Sequence, residues 1–338
     1  MTSKEIIKRI ANHNVTPRIG FSFSNPYPSD LKHIRGGKLV SHAPLRPVGW
    51  GEHEEILGLI PNFSGEVSVD IYGNIYGRFN NKTKGECIKG YLQEKWSSFD
   101  ENTFPTLDLD HYKSIDSDLL RQDDKYVIAS LPVCVFSNLR DCRRMENALT
   151  DVLLERENVE LFLGKITEIA CETIKSLAGR GVDGIFLLDD WGTQDRTFIS
   201  PNSFKEIFYP CYKKICDEAH NAGMNTFMHS CGNIYGIIEH LISAGIDVFQ
   251  FDQPELVGSV RLAGEFGNRA AFWCPVDIQK IMPTGNRELI EKTAFNMVDA
   301  CKKAGGCLIA KDYGWADIAI PDEWANWARN IFIENANL

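Results

Sequence analysis

The chain has 338 residues, 43% of them hydrophobic and 24% charged, the proportions of an ordinary globular protein. Its 36 basic residues are outnumbered by 46 acidic ones, and the net charge of −10 argues against nonspecific binding to nucleic acid or to an anionic membrane surface. No stretch approaches the roughly 20 apolar residues of a membrane span, and the N-terminus lacks a signal-type apolar core, so a cytoplasmic protein whose 10 cysteines are reduced is the expectation.

The first segment, MTSKEIIKRIANHN, predicts an amphipathic helix with Ile6, Ile7 and Ile10 on one side. PRIGFSF (17–23) reads as a strand. Residues 24–125 are irregular, rich in Gly, Pro and Asn with short apolar runs such as VSVDIYGNIYG, and predict short strands and long loops. From Tyr126 the pattern becomes regular. YVIASLP (126–132) is a β-branched run ended by proline. The next segment carries Phe162, Ile166, Ile169, Ile174 and Leu177 at helical spacing and stops at Gly-Arg-Gly. DGIFLLDD (183–190) is a short buried strand. SFKEIFYPCYKKICDEAHNAG (203–223) predicts a helix opened by a Ser203-x-x-Glu206 capping box and kinked at Pro210. Strands MNTFMHS, IDVFQFD, RAAFWCP and GCLIAK then alternate with helical segments to the C-terminus. Such alternation predicts βαβ units around a parallel sheet. With the early PRIGFSF strand it predicts a (β/α)8 TIM barrel, a single domain over residues 1–338 with an irregular N-terminal third. An open dinucleotide-binding sheet would want Gly-x-Gly-x-x-Gly after a strand, and the sequence has none.

A barrel of this kind builds its site at the C-terminal ends of its strands. The polar residues expected there are Asn25 or a near neighbour, Cys134, Asp189-Asp190-Trp191, His229-Ser230-Cys231, Asp252-Gln253, Cys274 and Asp312-Tyr313. His229-x-Cys231 puts an imidazole beside a thiolate. With one more thiolate and an open position this is the Cys2His set of catalytic zinc. Cys274, which ends its strand, is the candidate third ligand, while Cys307 opens its strand and belongs at the barrel bottom. Asp189 and Asp190 point to opposite faces. One can orient a substrate or His229 while the other caps a loop; the bland alternative has both as caps. Trp191, Gln253, Trp273 and Trp315 are candidate substrate-binding residues, with ordinary packing as the alternative for the tryptophans.

The run from DGIFLLDDWGTQDRTFISPNSFKEIF to NTFMHSCGNI, followed in order by IDVFQFDQPE, FWCPVDIQ with Pro-Thr-Gly, and GGCLIA with YGW, resembles the uroporphyrinogen decarboxylase superfamily over most of the chain. That resemblance implies the barrel and one of two chemistries. Porphyrinogen decarboxylation would imply an Arg-rich N-terminal signature, which PRIGFSFSNPYPSD lacks. Corrinoid-dependent methyl transfer would imply zinc held by His-x-Cys and a distal Cys. His229 and Cys231 match; the distal position is Tyr313 here, so Tyr313 becomes a candidate catalytic residue together with Asp189, Asp190 and His229. The resemblance thus implies a zinc-assisted methyltransferase, acting on a methoxy compound or thiol. Its corrinoid (cobalamin) would be carried by a partner protein, since the chain has no Asp-x-His-x-x-Gly signature. The competing readings are a metal-free decarboxylase or lyase and a binding protein on a barrel scaffold.

Overall fold

Thr2 opens the first helix, α1 (Ser3–Ala11): its hydroxyl accepts from the Glu5 N–H, and the Glu5 carboxylate accepts from the Thr2 N–H. Ile6, Ile7 and Ile10 are buried, with Ile7 and Ile10 lying over Gly20 at the start of strand β1 (Gly20–Ser22). In the computed structural model, which describes residues 1–79, 85–115, 117–314 and 318–338, this helix covers the lower end of a barrel.

β2 (Leu31–Arg35) comes next, followed by an excursion containing β3 (Leu39–Val40), β4 (Val48–Gly51), β5 (Glu66–Val69), β6 (Ile75–Arg78), β7 (Glu86–Lys89) and β8 (Thr106–Leu107), with short helices α2 (Glu54–Leu57) and α3 (Ser117–Arg121). β4 to β7 form an antiparallel sheet with its own small core of Ile56, Val67, Val69 and Ile75. β3 pairs antiparallel with β8, Leu39 opposite Leu107, and so closes the neck of the excursion. The irregular third therefore contains one barrel strand, LKHIR, that was expected only as part of a loop-rich region. Its mixture of apolar and basic residues is a weak strand signal because both faces carry basic side chains.

The regular part supplies β9 (Tyr126–Ser130), α4 (Val135–Arg143), α5 (Met145–Leu154), α6 (Arg156–Leu177), β10 (Gly184–Leu188), α7 (Pro201–Ser203), α8 (Tyr209–Asn221), β11 (Asn225–His229), α9 (Tyr235–Ala244), β12 (Val248–Gln250), α10 (Ser259–Phe266), β13 (Ala271–Cys274), α11 (Arg287–Lys303), β14 (Leu308–Lys311) and a last helix, Asp322–Glu334. Eight parallel strands run in the order β1-β14-β13-β12-β11-β10-β9-β2, with helices outside them: a (β/α)8 barrel. β1 and β2 meet through Asp30, whose N–H donates to the Phe21 carbonyl while its carboxylate accepts from the Phe21 N–H.

The helix expected from Ser203 begins earlier. Ser200 is its cap, accepting from the Ser203 N–H, and Pro201 fills the first turn. Residues Phe204–Phe208 form a π-helical turn leading into α8, with Pro210 in the first turn of α8. A wider turn is one way a chain absorbs the N–H that proline lacks. Among the described residues no helix is long and apolar enough to cross a membrane.

Candidate active site

Strand alternation assigns the site. The register sets Leu188 beside His229, His229 beside Gln250, and Gln250 beside Trp273. The rings of Phe186 and Phe227 lie 5.4 and 6.5 Å from that of Trp273, so all three occupy the lumen. Side chains two apart share a face. Phe186, Leu188 and Asp190 therefore point inward along β10 and its extension. So do Phe227, His229 and Cys231; Gln250 and Asp252; and Lys311 and Tyr313. The residues between them face the helices.

Asp190, His229 and Cys231 converge, one ligand atom of each within 4.8 Å of the others. His229 Nε2 lies 3.3 Å from Cys231 Sγ and 3.4 Å from Asp190 Oδ1. The Cys231 N–H donates to Asp190 Oδ1 at 2.9 Å. Main chain holds the two strand ends together: Trp191 N–H donates to Ser230 Oγ (3.0 Å), Gly192 N–H to the Cys231 carbonyl (3.1 Å) and Asn233 N–H to the Thr193 carbonyl (2.7 Å). Gly232 has φ +80°, and a Cβ there would sit 2.1 Å from the Gly192 carbonyl oxygen. Only glycine permits that approach.

Behind the imidazole runs a chain of polar groups. His229 Nδ1 bonds Gln250 Oε1; Gln250 Nε2 donates to Asp252 Oδ1 at 2.6 Å, which fixes the amide with its oxygen toward the histidine. Nδ1 therefore carries a proton whether the ring is neutral or charged, and Nε2 faces Cys231 and Asp190. Asp252 Oδ1 also accepts from the Tyr313 hydroxyl (2.8 Å) and pairs with Lys311 Nζ (3.2 Å). Burial opposes ionisation at His229, but Asp190 and Cys231 outweigh it and raise the imidazole to about 10. Asp190 is likewise opposed by burial yet held at about 2, chiefly by its bond to His229. Burial also works against charge on Asp252, and Lys311 leads the groups that hold its carboxyl below the usual range.

Other expected residues take different places. Asp189 is fully buried and faces outward: its carboxylate accepts from the N–H groups of Val135, Phe136 and Ser137 at the start of α4 and from the Tyr212 hydroxyl. Burial pushes it up to about 6 against those donors, and no face of it is left for a substrate. It caps the start of α4. Trp191 is also fully buried, stacked on Phe136 at 4.3 Å with Nε1 donating to Tyr212, so it packs under the helices and walls no pocket. Cys274 does not join the metal-competent group. Because Trp273 points inward, Cys274 must point outward, toward the buried thiols of Cys301 and Cys307. Gln253 fastens the turn after Cys231 by accepting from the Gly232 N–H (3.2 Å). Trp273 is in the lumen, and Tyr313 belongs to the Asp252 cluster. Trp315 lies outside the described residues.

Gln250, Lys311 and His33 were missed. Counting back two residues from Asp252 and Tyr313 along their strands would have found the first two. His33 sits on the strand hidden in the irregular third, its ring stacked on Trp273 at 5.4 Å.

The family described as uroporphyrinogen decarboxylase (URO-D) matches residues 126–312. Among curated proteins none matches the sequence. Among solved structures the chain is similar to a methyltransferase from Methanosarcina mazei, with 11% identity, 99% of each chain covered and a TM-score of 0.65, which is a likeness of fold. It also overlaps, at TM-score 0.37 and 9% identity over 67% of this chain and 83% of the other, with the IOLI protein crystallised with a zinc atom.

Proposed function

We propose, from the premise that the chain belongs to the uroporphyrinogen decarboxylase family, that it is a zinc-assisted methyltransferase. It would move a methyl group between a small methoxy compound or thiol and a corrinoid carried by a separate protein. The observation that carries this reading is the convergence of Cys231, His229 and Asp190 at the barrel mouth. The donor set fits zinc: one soft sulfur, one imidazole nitrogen and one carboxylate oxygen, with a coordination position left open. Asp190 takes the place foreseen for Cys274, and Tyr313 stands where the resemblance implies a distal cysteine. The fold likeness to a methyltransferase supports the reading.

Zinc bound there would supply Lewis-acid activation of a thiol or ether oxygen. The chain's own residues do the rest. Gln250 keeps Nε2 of His229 aimed at the open face, because its oxygen holds the Nδ1 proton. Asp190 and the Cys231 N–H keep the sulfur's approach fixed through the main chain. Phe186, Phe227 and Trp273 line the lumen below and keep water from the reacting atoms. When an ether oxygen loses its methyl it needs a proton; the Tyr313 hydroxyl, bonded to Lys311 and Asp252, is a proton-bearing group facing the same lumen.

The test is metal analysis of the purified protein with a methyl-transfer assay using free or protein-bound cobalamin. About one zinc per chain and transfer that depends on the corrinoid are expected. Turnover to completion by a zinc-free preparation without any corrinoid would overturn the reading.

A further inference from the structure

The lumen side of β2 holds two side chains that the metal group does not use. Lys32 reaches Asp123 at 2.6 Å and Ile34 packs on the core, so alternation turns His33 and Arg35 toward the barrel mouth. The His33 ring stacks on Trp273 and meets Phe186 edge-on at 6.2 Å. Among the described residues neither its ring nitrogens nor the Arg35 guanidinium has a hydrogen-bonding or ionic partner. Beside them Trp273 Nε1 is buried without a partner. A buried donor without a partner, as Trp273 Nε1 is, is uncommon in a finished fold, and an exposed guanidinium is the natural fork for a carboxylate.

The space to hold such a group is there. His33 and Arg35 line a cleft of about 670 Å³ with Lys38, Ser130, Ile71 and Pro132. Lys38 is turned toward Asp108 at 3.5 Å, which leaves Arg35 as the uncommitted cation. Gly36 sets the position of Arg35: its N–H donates to the Ser130 carbonyl at 2.8 Å, and a Cβ would lie 2.6 Å from that oxygen. The cleft connects to the metal-competent group through aromatic rings. His33 stacks on Trp273, and Trp273 stands in register with Gln250, the residue bonded to His229. β2 and β10 are two strand spacings apart, roughly 10 Å.

We propose that Arg35, with His33 and Trp273, forms a carboxylate subsite, so that the small molecule taken by this mouth is a planar anion. Its carboxylate would lie on Arg35, its ring on the His33–Trp273 stack, and its reacting group toward Cys231 and His229. The identity of that reacting group as a methyl ether or thiol rests on the proposed methyl transfer; the subsite does not.

Two probes of one shape test it: 4-methoxybenzoate and the neutral 4-methoxybenzamide, titrated calorimetrically into the wild type and into Arg35→Gln. A guanidinium–carboxylate pair predicts that the wild type binds the anion about tenfold more tightly or better, and that Arg35→Gln brings the ratio to within about twofold. Arg35 is exposed, so the variant should keep its fold and zinc content, checked by circular dichroism and metal analysis. Equal binding of the two probes to the wild type, or an undiminished ratio in Arg35→Gln, would overturn the subsite. A preserved ratio in a protein that holds no zinc and transfers no methyl would instead overturn the proposed function and leave the subsite standing.

Discussion

The two ends of the barrel are both polar, and they use polarity in opposite ways. At the lower end the carboxylates between the strands are answered. Asp30 accepts two bonds from Arg18, one from Ser3 and one from the Phe21 N–H; Asp247 accepts from Thr226 N–H and Asn225 and pairs with His220; Asp183 takes Lys4 and the Val127 N–H. At the mouth, Asp190, His229 and Cys231 crowd together, Asp190 and His229 with shifted protonation, and among the described residues the Arg35 guanidinium and the His33 ring nitrogens have no polar partner. One end is spent on holding the strands, the other is kept reactive. This is the division expected of a barrel whose chemistry sits at the C-terminal ends of its strands.

The sharpest way to break the comparison is at Cys231. Cys231→Ala should lose zinc and bring methyl transfer to background while stability changes by no more than about 1 kcal/mol. Cys274→Ala, one strand face away, should keep its zinc; metal loss in that variant would mean that Cys274, and not Asp190, is the third ligand. At the opposite end the signs reverse. Asp30→Ala should cost about 3 kcal/mol in urea denaturation, because it strands Arg18 and the Phe21 N–H, yet leave zinc stoichiometry untouched. Between the two lies Gln250→Leu, which frees Nδ1 of His229. Zinc affinity should fall about 10–100-fold in a competition titration, with an unchanged melting transition.

The smallest effect concerns pH. His220 is held above the usual histidine value, mainly by its bond to Asp247, with burial opposing. A raised folded value means its stabilisation is fully present below about pH 6.5 and is lost as pH rises through the folded value. The His220 side chain is 39% exposed, so the contribution stays below about 1 kcal/mol. Stability measured from pH 6 to 9 should decline less steeply in His220→Gln than in the wild type. Identical slopes would show that the lower end is not held by this pair.

Much of this was legible in the residues themselves, and what was not has physical causes. The alternating half could be read because buried parallel strands are short apolar runs and the helices between them are periodic. The same two-residue alternation that separates Asp189 from Asp190 also separates Trp273 from Cys274. Applied to both pairs, it removes Cys274 from the ligand set and leaves Asp190 in it. β2 was not legible as a barrel strand, since its lumen face carries His33 and Arg35 in place of apolar residues. A strand that lines a binding cleft loses the hydrophobic pattern by which strands are found. Trp191 could be read either as a pocket wall or as packing, because an aromatic at a strand end looks the same whether the chain turns into the mouth or back under the helices. Its fate is decided by Phe136 and Tyr212, which belong to other elements.

The pairing of β3 with β8 bears on how the barrel can assemble. β2 must find β9 across the whole excursion, from Arg35 to Tyr126, and joining the ends of so long a loop carries a substantial entropic cost. Once Leu39 stands against Leu107, most of that loop is already closed on itself, and only the short stretches on either side remain to be gathered. Because the closure cost grows with the logarithm of the free length, the saving is about 1 kcal/mol. The little sheet with its private core thus acts as a splice, making a distant strand a near neighbour in the chain's own kinetics.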